Sequence, residues 1–388
     1  MKKLRVGIIY GGRSGEHEVS VASAASILKH LDRTRYDPVP IRIEKDGRWT
    51  IADKAPTAIS AADVIEQSRL HTTRQLRPGR HTLLVAHPGD DTLITIDRRP
   101  SPAHAPADID HAVVTGLGID VVFPVLHGPY GEDGTVQGLL ELANVAYVGS
   151  GVLASAAGMD KVAMKVLFAA RGLPVVPWRT FIRRDWTRDQ AAVTNDMLGL
   201  GLPIFVKPAN LGSSVGISKV KSEHELAPAI ALALEFDRKV IVEAGVPDAR
   251  EIECAVLGND DPQASVAGEI LPSREFYDYE AKYLDGASQT VIPADLPADQ
   301  MSAVQRLAVE AFRAIDAAGM ARVDFLLARQ TDTLYVNEIN TIPGFTTISM
   351  YAKLWEASGV VYPALVERLV DLALERHGEK QRLRTSVL

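Results

Sequence analysis

Residues 321–340 read Ala321-Arg-Val-Asp-Phe-Leu-Leu-Ala328, then Arg329-Gln330-Thr331-Asp332, then Thr333-Leu-Tyr-Val-Asn-Glu-Ile339-Asn340. Two apolar runs around a polar tetrapeptide predict an antiparallel hairpin. Centred near Thr331, it sets Asp324 opposite Glu338 and Arg322 opposite Asn340. Alternate side chains of a strand share a face, so the four polar groups lie together. Such a face is costly to bury unless compensated, and a hard divalent cation with oxygen ligands would compensate it. The same spacing also suits a solvated hairpin with Arg322 paired to Asp324. The residues alone leave both readings open.

Upstream the pattern changes. Val6–Tyr10 is a short apolar run ending in Gly11-Gly12, followed by helical spacing from Glu18 to Leu31. Ile119–Leu126 reads as a second buried strand and Thr135–Leu142 as a second helix. Strands alternating with helices predict parallel β-α-β units. The fold class is therefore α/β with mixed α+β character, parallel at the start and antiparallel toward the end. Between about Glu44 and His111, Pro, His, Arg and Asp are frequent and helical periodicity is weak. His81–His87 and Thr92–Asp97 flank a turn and predict a hairpin. That region reads as an insertion on the first domain.

Further on, Asp160 to Ala170 is helical, Pro203–Lys207 is a strand, and Ala209 to Gly216 is a small-residue loop. A lysine ending a strand before such a loop offers a point charge and backbone N–H groups to a phosphate. No Walker A motif occurs. Ile217–Val220, Lys239–Glu243 and Arg250–Leu257 are further strands. Asp278 to Pro297 reads as a long loop or lid.

The 388 residues exceed one compact core, so two or three domains are expected. The formal charge of −7 leaves no general basic surface for nucleic acid or anionic lipid. The single cysteine, Cys254, excludes an internal disulfide and reads as a packed strand residue. The basic tip Met1-Lys-Lys precedes an apolar run too short for a signal peptide, and no run reaches the roughly 18 apolar residues of a membrane span. A cytoplasmic location is expected. Gly149-Ser-Gly-Val-Leu-Ala154 matches a weak dinucleotide fingerprint. No strand ending in an acidic residue follows about twenty positions on, which disfavours nicotinamide binding.

Eight motifs run in order along the chain: GGRSGEHEVS from Gly11, LHGPYGEDG from Leu126, GSGVLASAAGMDK from Gly149, VKPANLGSSVG from Val206, REIECAVLG from Arg250, FYDYEAKY from Phe276, RVDF from Arg322 and NEINTIPG from Asn337. Together they closely resemble the D-alanine–D-alanine ligases of the ATP-grasp superfamily. The resemblance implies a Rossmann-like N-terminal domain (1–152, with the insertion at about 44–111) and then a two-part ATP-grasp fold. Its central part would span 153–242 and its C-terminal part 243–375, with a polar tail at 376–388.

The resemblance also implies the chemistry. ATP would phosphorylate one D-alanine, and a second D-alanine would attack the acylphosphate; the ester-forming D-alanine–D-lactate ligases are the nearest alternative. Lys161, Lys207, Ser213 and Ser214 would contact the phosphates, with Lys282 also on the ATP side. Glu243, Glu251 and Phe276 would hold the nucleoside. Asp324, Glu338 and Asn340 would bind two Mg²⁺ or Mn²⁺ ions. Arg322 and the Gly344 N–H would stabilise the oxyanion. Glu16 and His127 would serve the first D-alanine, Ser349 and Met350 the carboxylate of the second. Tyr283, linked to Ser213 and Glu16, marks dipeptide-forming members, and residues 275–297 contain no histidine. A homodimer is the family's implied assembly.

Overall fold

A computed structural model describes residues 2–384 except 53–54, 59, 72–79, 87, 89–91, 100–110, 272–288 and 347. The expected lid, Asp278–Pro297, lies outside the described residues as far as 288, as do Phe276, Lys282 and Tyr283; of its remainder, Gln289–Val291 is a strand and not loop. The described chain forms two compact units: residues 1–149 with 344–349 and 361–388, and residues 150–343 with 350–360.

The first unit is built on an eight-stranded sheet of order β6-β5-β4-β3-β2-β1-β7-β8. These strands are β1 (Leu4–Gly11), β2 (Tyr36–Ile43), β3 (Trp49–Ile51), β4 (Arg80–Leu84), β5 (Leu93–Arg99), β6 (His111–Leu117), β7 (Val121–Val125) and β8 (Ala146–Tyr147). Strands β2, β1, β7 and β8 are parallel, as the alternating pattern predicts. From β2 outward the pairing is antiparallel, so the predicted insertion extends the same sheet. The expected hairpin is β4–β5. A helix at Ala61–His71 was not expected, because Asp63 and Glu66 among alanines give it little apolar periodicity.

Why β1 is central is plain from its composition. Val6, Ile8, Ile9 and Tyr10 are all buried, as a strand covered on both faces requires. Helix His17–His30 packs on it with small residues, Ala22, Ala24 and Ala25 among them. Helix Tyr362–Gln381 returns to this unit and buries Leu365, Val366, Leu369 and Val370.

The second unit carries two antiparallel sheets. One has the order β11-β10-β12-β9, from β9 (Trp178–Ile182), β10 (Ile204–Pro208), β11 (Ser218–Val220) and β12 (Lys239–Ala244). Helix Leu226–Phe236 covers it through Ala229, Ile230 and Ala233. The other has the order β15-β14-β13-β16-β17, from β13 (Ala249–Gly258), β14 (Gln263–Leu271), β15 (Gln289–Val291), β16 (Gly319–Ala328) and β17 (Leu334–Asn340). Its core face is Ile252, Cys254, Val256, Val323, Phe325, Val336 and Ile339, packed on Phe312, Met164 and Phe168. Cys254 is fully buried, and that burial pushes its thiol up to about 12, in keeping with a packing role. Among the described residues, no helix is long and apolar enough to cross a membrane.

Candidate active site

The hairpin register is the one expected at its acidic end: Arg322 pairs with Asn340 and Asp324 with Glu338. Nearer the turn the pairing shifts by one, so that Phe325 faces Val336 and Asn337 is the extra residue of a β-bulge. The bulge decides which face each residue takes. Leu334 and Val336 point to the core at even positions, but beyond Asn337 the core residue is Ile339. Glu338 and Asn340 therefore turn away from the core, on the side of Arg322 and Asp324. Were the same sequence to run as a regular strand with no bulge, the period of two would place both polar groups inside.

On that face the groups interlock. Arg322 donates from Nε and Nη2 to the two oxygens of Asp324, each at 2.7 Å, and its Nε lies 3.1 Å from Glu253 Oε2. Asn340 Nδ2 lies 3.1 Å from Asp324 Oδ2. The guanidinium is held charged well above its ordinary range: burial opposes this, but Asp324 and then Glu253 outweigh it. Glu253 sits opposite Asp324 on β13. Its signal in the sequence was two glutamates, 251 and 253, at alternate positions of an otherwise apolar strand.

Opposite this face stand the lysines. Lys207, at the end of β10, donates to Glu243 Oε2 at 2.6 Å, and Lys165 approaches Glu243 Oε1 at 3.1 Å. Glu243 is 3% exposed and Lys165 is 0% exposed. Burial pushes the Glu243 carboxyl up, but Lys165 and Lys207 outweigh it and hold it below its usual range. For Lys207 the charges of Glu243 and Glu338 overcome burial and raise it, whereas for Lys165 burial prevails and lowers it. Lys161 donates to the Leu211 carbonyl at 2.8 Å and lies 3.6 Å from Glu338 Oε2.

Both lysines of helix Lys161–Ala170 are placed by its cap. Asp160 accepts from the N–H groups of Val162 and Ala163 at 3.0 Å, and also pairs with Lys239. Between β10 and β11 the small-residue loop turns through two consecutive left-handed serines, Ser213 (φ 52°) and Ser214 (φ 59°). Left-handed non-glycine residues are strained by about 1 kcal/mol or more, and successive turned N–H groups form an anion-binding concavity. The two sheets enclose a cleft of about 430 Å³ lined by Lys207, Ser214, Glu243, Glu251, Asp324 and Glu338 among others. Its size and its mix of cations and carboxylates suit a nucleotide triphosphate.

In the first unit the two glycine-rich loops meet. Ser14 Oγ donates to the His127 carbonyl at 2.6 Å. Gly128 takes φ +73°, a conformation that favours glycine, and a Cβ there would stand 3.0 Å from Glu16 Oε2. His127 is buried at 5% exposure. In the 344–349 segment, Ser349 Oγ accepts from the Thr346 N–H at 3.0 Å and would meet a Cβ on Gly344 at 2.9 Å. Met350 starts the next helix with its side chain buried, leaving its backbone as the group able to meet a ligand.

Two antiparallel sheets gripping a charged cleft, with a phosphate-type loop on one and a carboxylate face on the other, define an ATP-grasp enzyme. Two family profiles, described as the N-terminus and the C-terminus of D-ala D-ala ligase, match residues 5–150 and 167–371. The D-alanine–D-alanine ligase of Thermoanaerobacter sp. is 48% identical over 98% of this chain and 99% of its own length. That of Bacillus licheniformis is 46% identical, with 98% and 99% covered. Among solved structures, the Coxiella burnetii D-alanine–D-alanine ligase superposes with TM-score 0.78 at 36% identity, covering 98% of this chain and 97% of that one. The VanG D-Ala:D-Ser ligase of Enterococcus faecalis gives TM-score 0.78 at 31% identity, covering 96% and 100%. The chain belongs to the D-alanine–D-alanine ligase family, an ATP-dependent one.

Proposed function

We propose that the chain joins two D-alanines into D-alanyl-D-alanine for peptidoglycan precursors, converting ATP to ADP and phosphate. The carrying observation is the polar face of Arg322, Asp324, Glu338 and Asn340 set opposite Lys207 and Glu243 in one cleft. A carboxylate is a poor electrophile, since its charge repels nucleophiles and it lacks a leaving group. Transfer of the terminal phosphoryl group of ATP turns the first D-alanine into an acylphosphate. The amine of the second D-alanine attacks it, and phosphate leaves from the tetrahedral intermediate.

Lys161 and Lys207, with the turned backbone at Ser213 and Ser214, hold the phosphates, which here needs positioning and charge more than covalent chemistry. Glu243 and Glu251 hold the nucleoside. Arg322 and the Gly344 N–H act where negative charge develops, each donor contributing roughly a few kcal/mol. Glu16, beside His127, takes the first ammonium, and Ser349 with the Met350 backbone takes the second carboxylate. Phe276 packs near the base and Lys282 serves the ATP side, while Tyr283 lies on the lid that keeps water from the acylphosphate.

Asp324, Glu338 and Asn340 are the residues that would hold two Mg²⁺ or Mn²⁺ ions. Among the described residues no three His, Cys, Asp or Glu cluster as a metal cage. Two carboxylates and an amide converging on one face nonetheless fit a hard cation whose remaining ligands are phosphate oxygens and water. Such ions supply charge neutralisation at the transferring phosphoryl group. A cytoplasmic homodimer completes the proposal.

The test offers ATP with D-alanine alone, then with D-lactate or D-serine as second substrate, following phosphate release and product mass. D-Alanyl-D-alanine as the preferred product is expected. A preference for D-lactate or D-serine would overturn the dipeptide assignment.

A further inference from the structure

Lys165 has no part in the roles above, yet it is the most deeply buried lysine of the cleft wall, at 0% exposure. A buried ammonium is costly unless paired. Charge balance does not explain it, because Glu243 already has a counter-ion in Lys207 at 2.6 Å. Lys165 approaches the other oxygen, Glu243 Oε1, at 3.1 Å, and donates to the Asn337 carbonyl at 3.2 Å. Asn337 is the bulge residue that sends Glu338 and Asn340 into the cleft. One turn earlier on the same helix, Lys161 reaches the Leu211 carbonyl and Glu338. A spacing of four residues puts both lysines on one helix face. One ammonium thus ties β12 of one sheet to the bulge of the other.

We propose that Lys165 is a positioning residue for the nucleotide: by holding Glu243 and the Asn337 carbonyl together, it fixes the Lys207–Glu243 pair relative to Glu338. The inference rests on the reading of Lys207 and Glu243 as nucleotide-side groups.

Lys165→Met and Lys165→Arg are compared with wild type for KM of ATP, KM of D-alanine, and the rise in Tm on adding ADP with Mg²⁺. Lys165→Met is expected to raise the KM of ATP at least tenfold, with the KM of D-alanine changing less than twofold. The ADP-induced rise in Tm should shrink, and Lys165→Arg should recover part of the ATP affinity. An unchanged KM of ATP and an unchanged ADP-induced rise would overturn the inference, as would equal rises in both KM values. If Lys165→Met does not fold, Lys165→Arg decides: its charge is kept but its reach altered, so a wild-type KM of ATP contradicts the proposal. Lys207→Ala is measured alongside. A wild-type KM of ATP in that variant would sink the reading of the nucleotide side itself, not only the part given to Lys165.

Discussion

Asp160 carries a helix cap and an ion pair at once, and both depend on its negative charge. It accepts from two N–H groups of the helix that bears Lys161 and Lys165, and it pairs with Lys239. Burial pushes its carboxyl up, but Lys239 and the Ala163 N–H outweigh this and hold it below the usual range. A depressed folded-state pKa means the stabilisation is present above the ordinary aspartate value of about 3.9 and is lost as pH falls through the folded value. Asp160→Asn should therefore lower stability at pH 7 by about 1 kcal/mol. The gap to wild type should begin to close only as pH falls below about 4 and go on closing as it drops through the folded-state value, as urea titrations at each pH would reveal. A gap that stayed constant over that range would show the charge to be irrelevant. Some residues of the site were legible from chemistry alone, such as Lys207 before a small-residue loop. Lys165 was not, because one lysine in an apolar helix says nothing of the carbonyl and carboxylate it meets. Glu253 could have been noticed from its alternation with Glu251.

At the scale of the element, the hairpin of β16 and β17 shows what pattern reading reaches and where it stops. Its centre near Thr331 correctly paired Asp324 with Glu338, because a short polar turn between apolar runs fixes register. The bulge at Asn337 was invisible, since an extra residue leaves no mark in composition; its only trace is that Val336 and Ile339, three apart, both face the core. Deleting Asn337 should return β17 to regular alternation with Val336 and Ile339 two positions apart, both still on the core and Glu338 and Asn340 still on the cleft face. Phosphate release should persist at a reduced rate, because the Asn337 carbonyl that accepts from Lys165 is gone. Asn337→Gly, which keeps the residue count, should retain most activity. Complete loss of phosphate release by a folded deletion variant would refute the face assignment. The edge of β17 is also covered: the Ile339 N–H points to Met164 Sδ and the Asn337 carbonyl to Lys165. Within the insertion the β4–β5 hairpin was legible from its turn, while helix Ala61–His71 escaped because its apolar spacing is weak.

Across the whole molecule, the chain order and the compact units do not coincide. Helix Tyr362–Gln381 belongs with the first unit, although more than two hundred residues of the second separate it from β8. No local pattern announces this, because an amphipathic helix can cover any apolar sheet face. Four of its buried aliphatic side chains, Leu365, Val366, Leu369 and Val370, each contribute roughly 1.5–3 kcal/mol, a sum comparable to the roughly 5–15 kcal/mol stability of a domain. A chain ending at Gly359 should therefore leave the first unit open to limited proteolysis, whereas a protease-resistant fragment spanning 1–149 would contradict that dependence.

Above all, we propose that Asp324, Glu338 and Asn340 form the phosphoryl-transfer centre of an ATP-dependent ligase. Glu338→Ala tests it most directly, because Glu338 is a quarter exposed and its loss should leave the fold intact. ADP and phosphate release in the presence of D-alanine and Mg²⁺ is the measurement, with Tm recorded on the same sample. The account predicts a fall in turnover of about a thousandfold or more, on the scale of a lost transition-state contact, at a Tm close to wild type. Full turnover by a folded Glu338→Ala protein would contradict it.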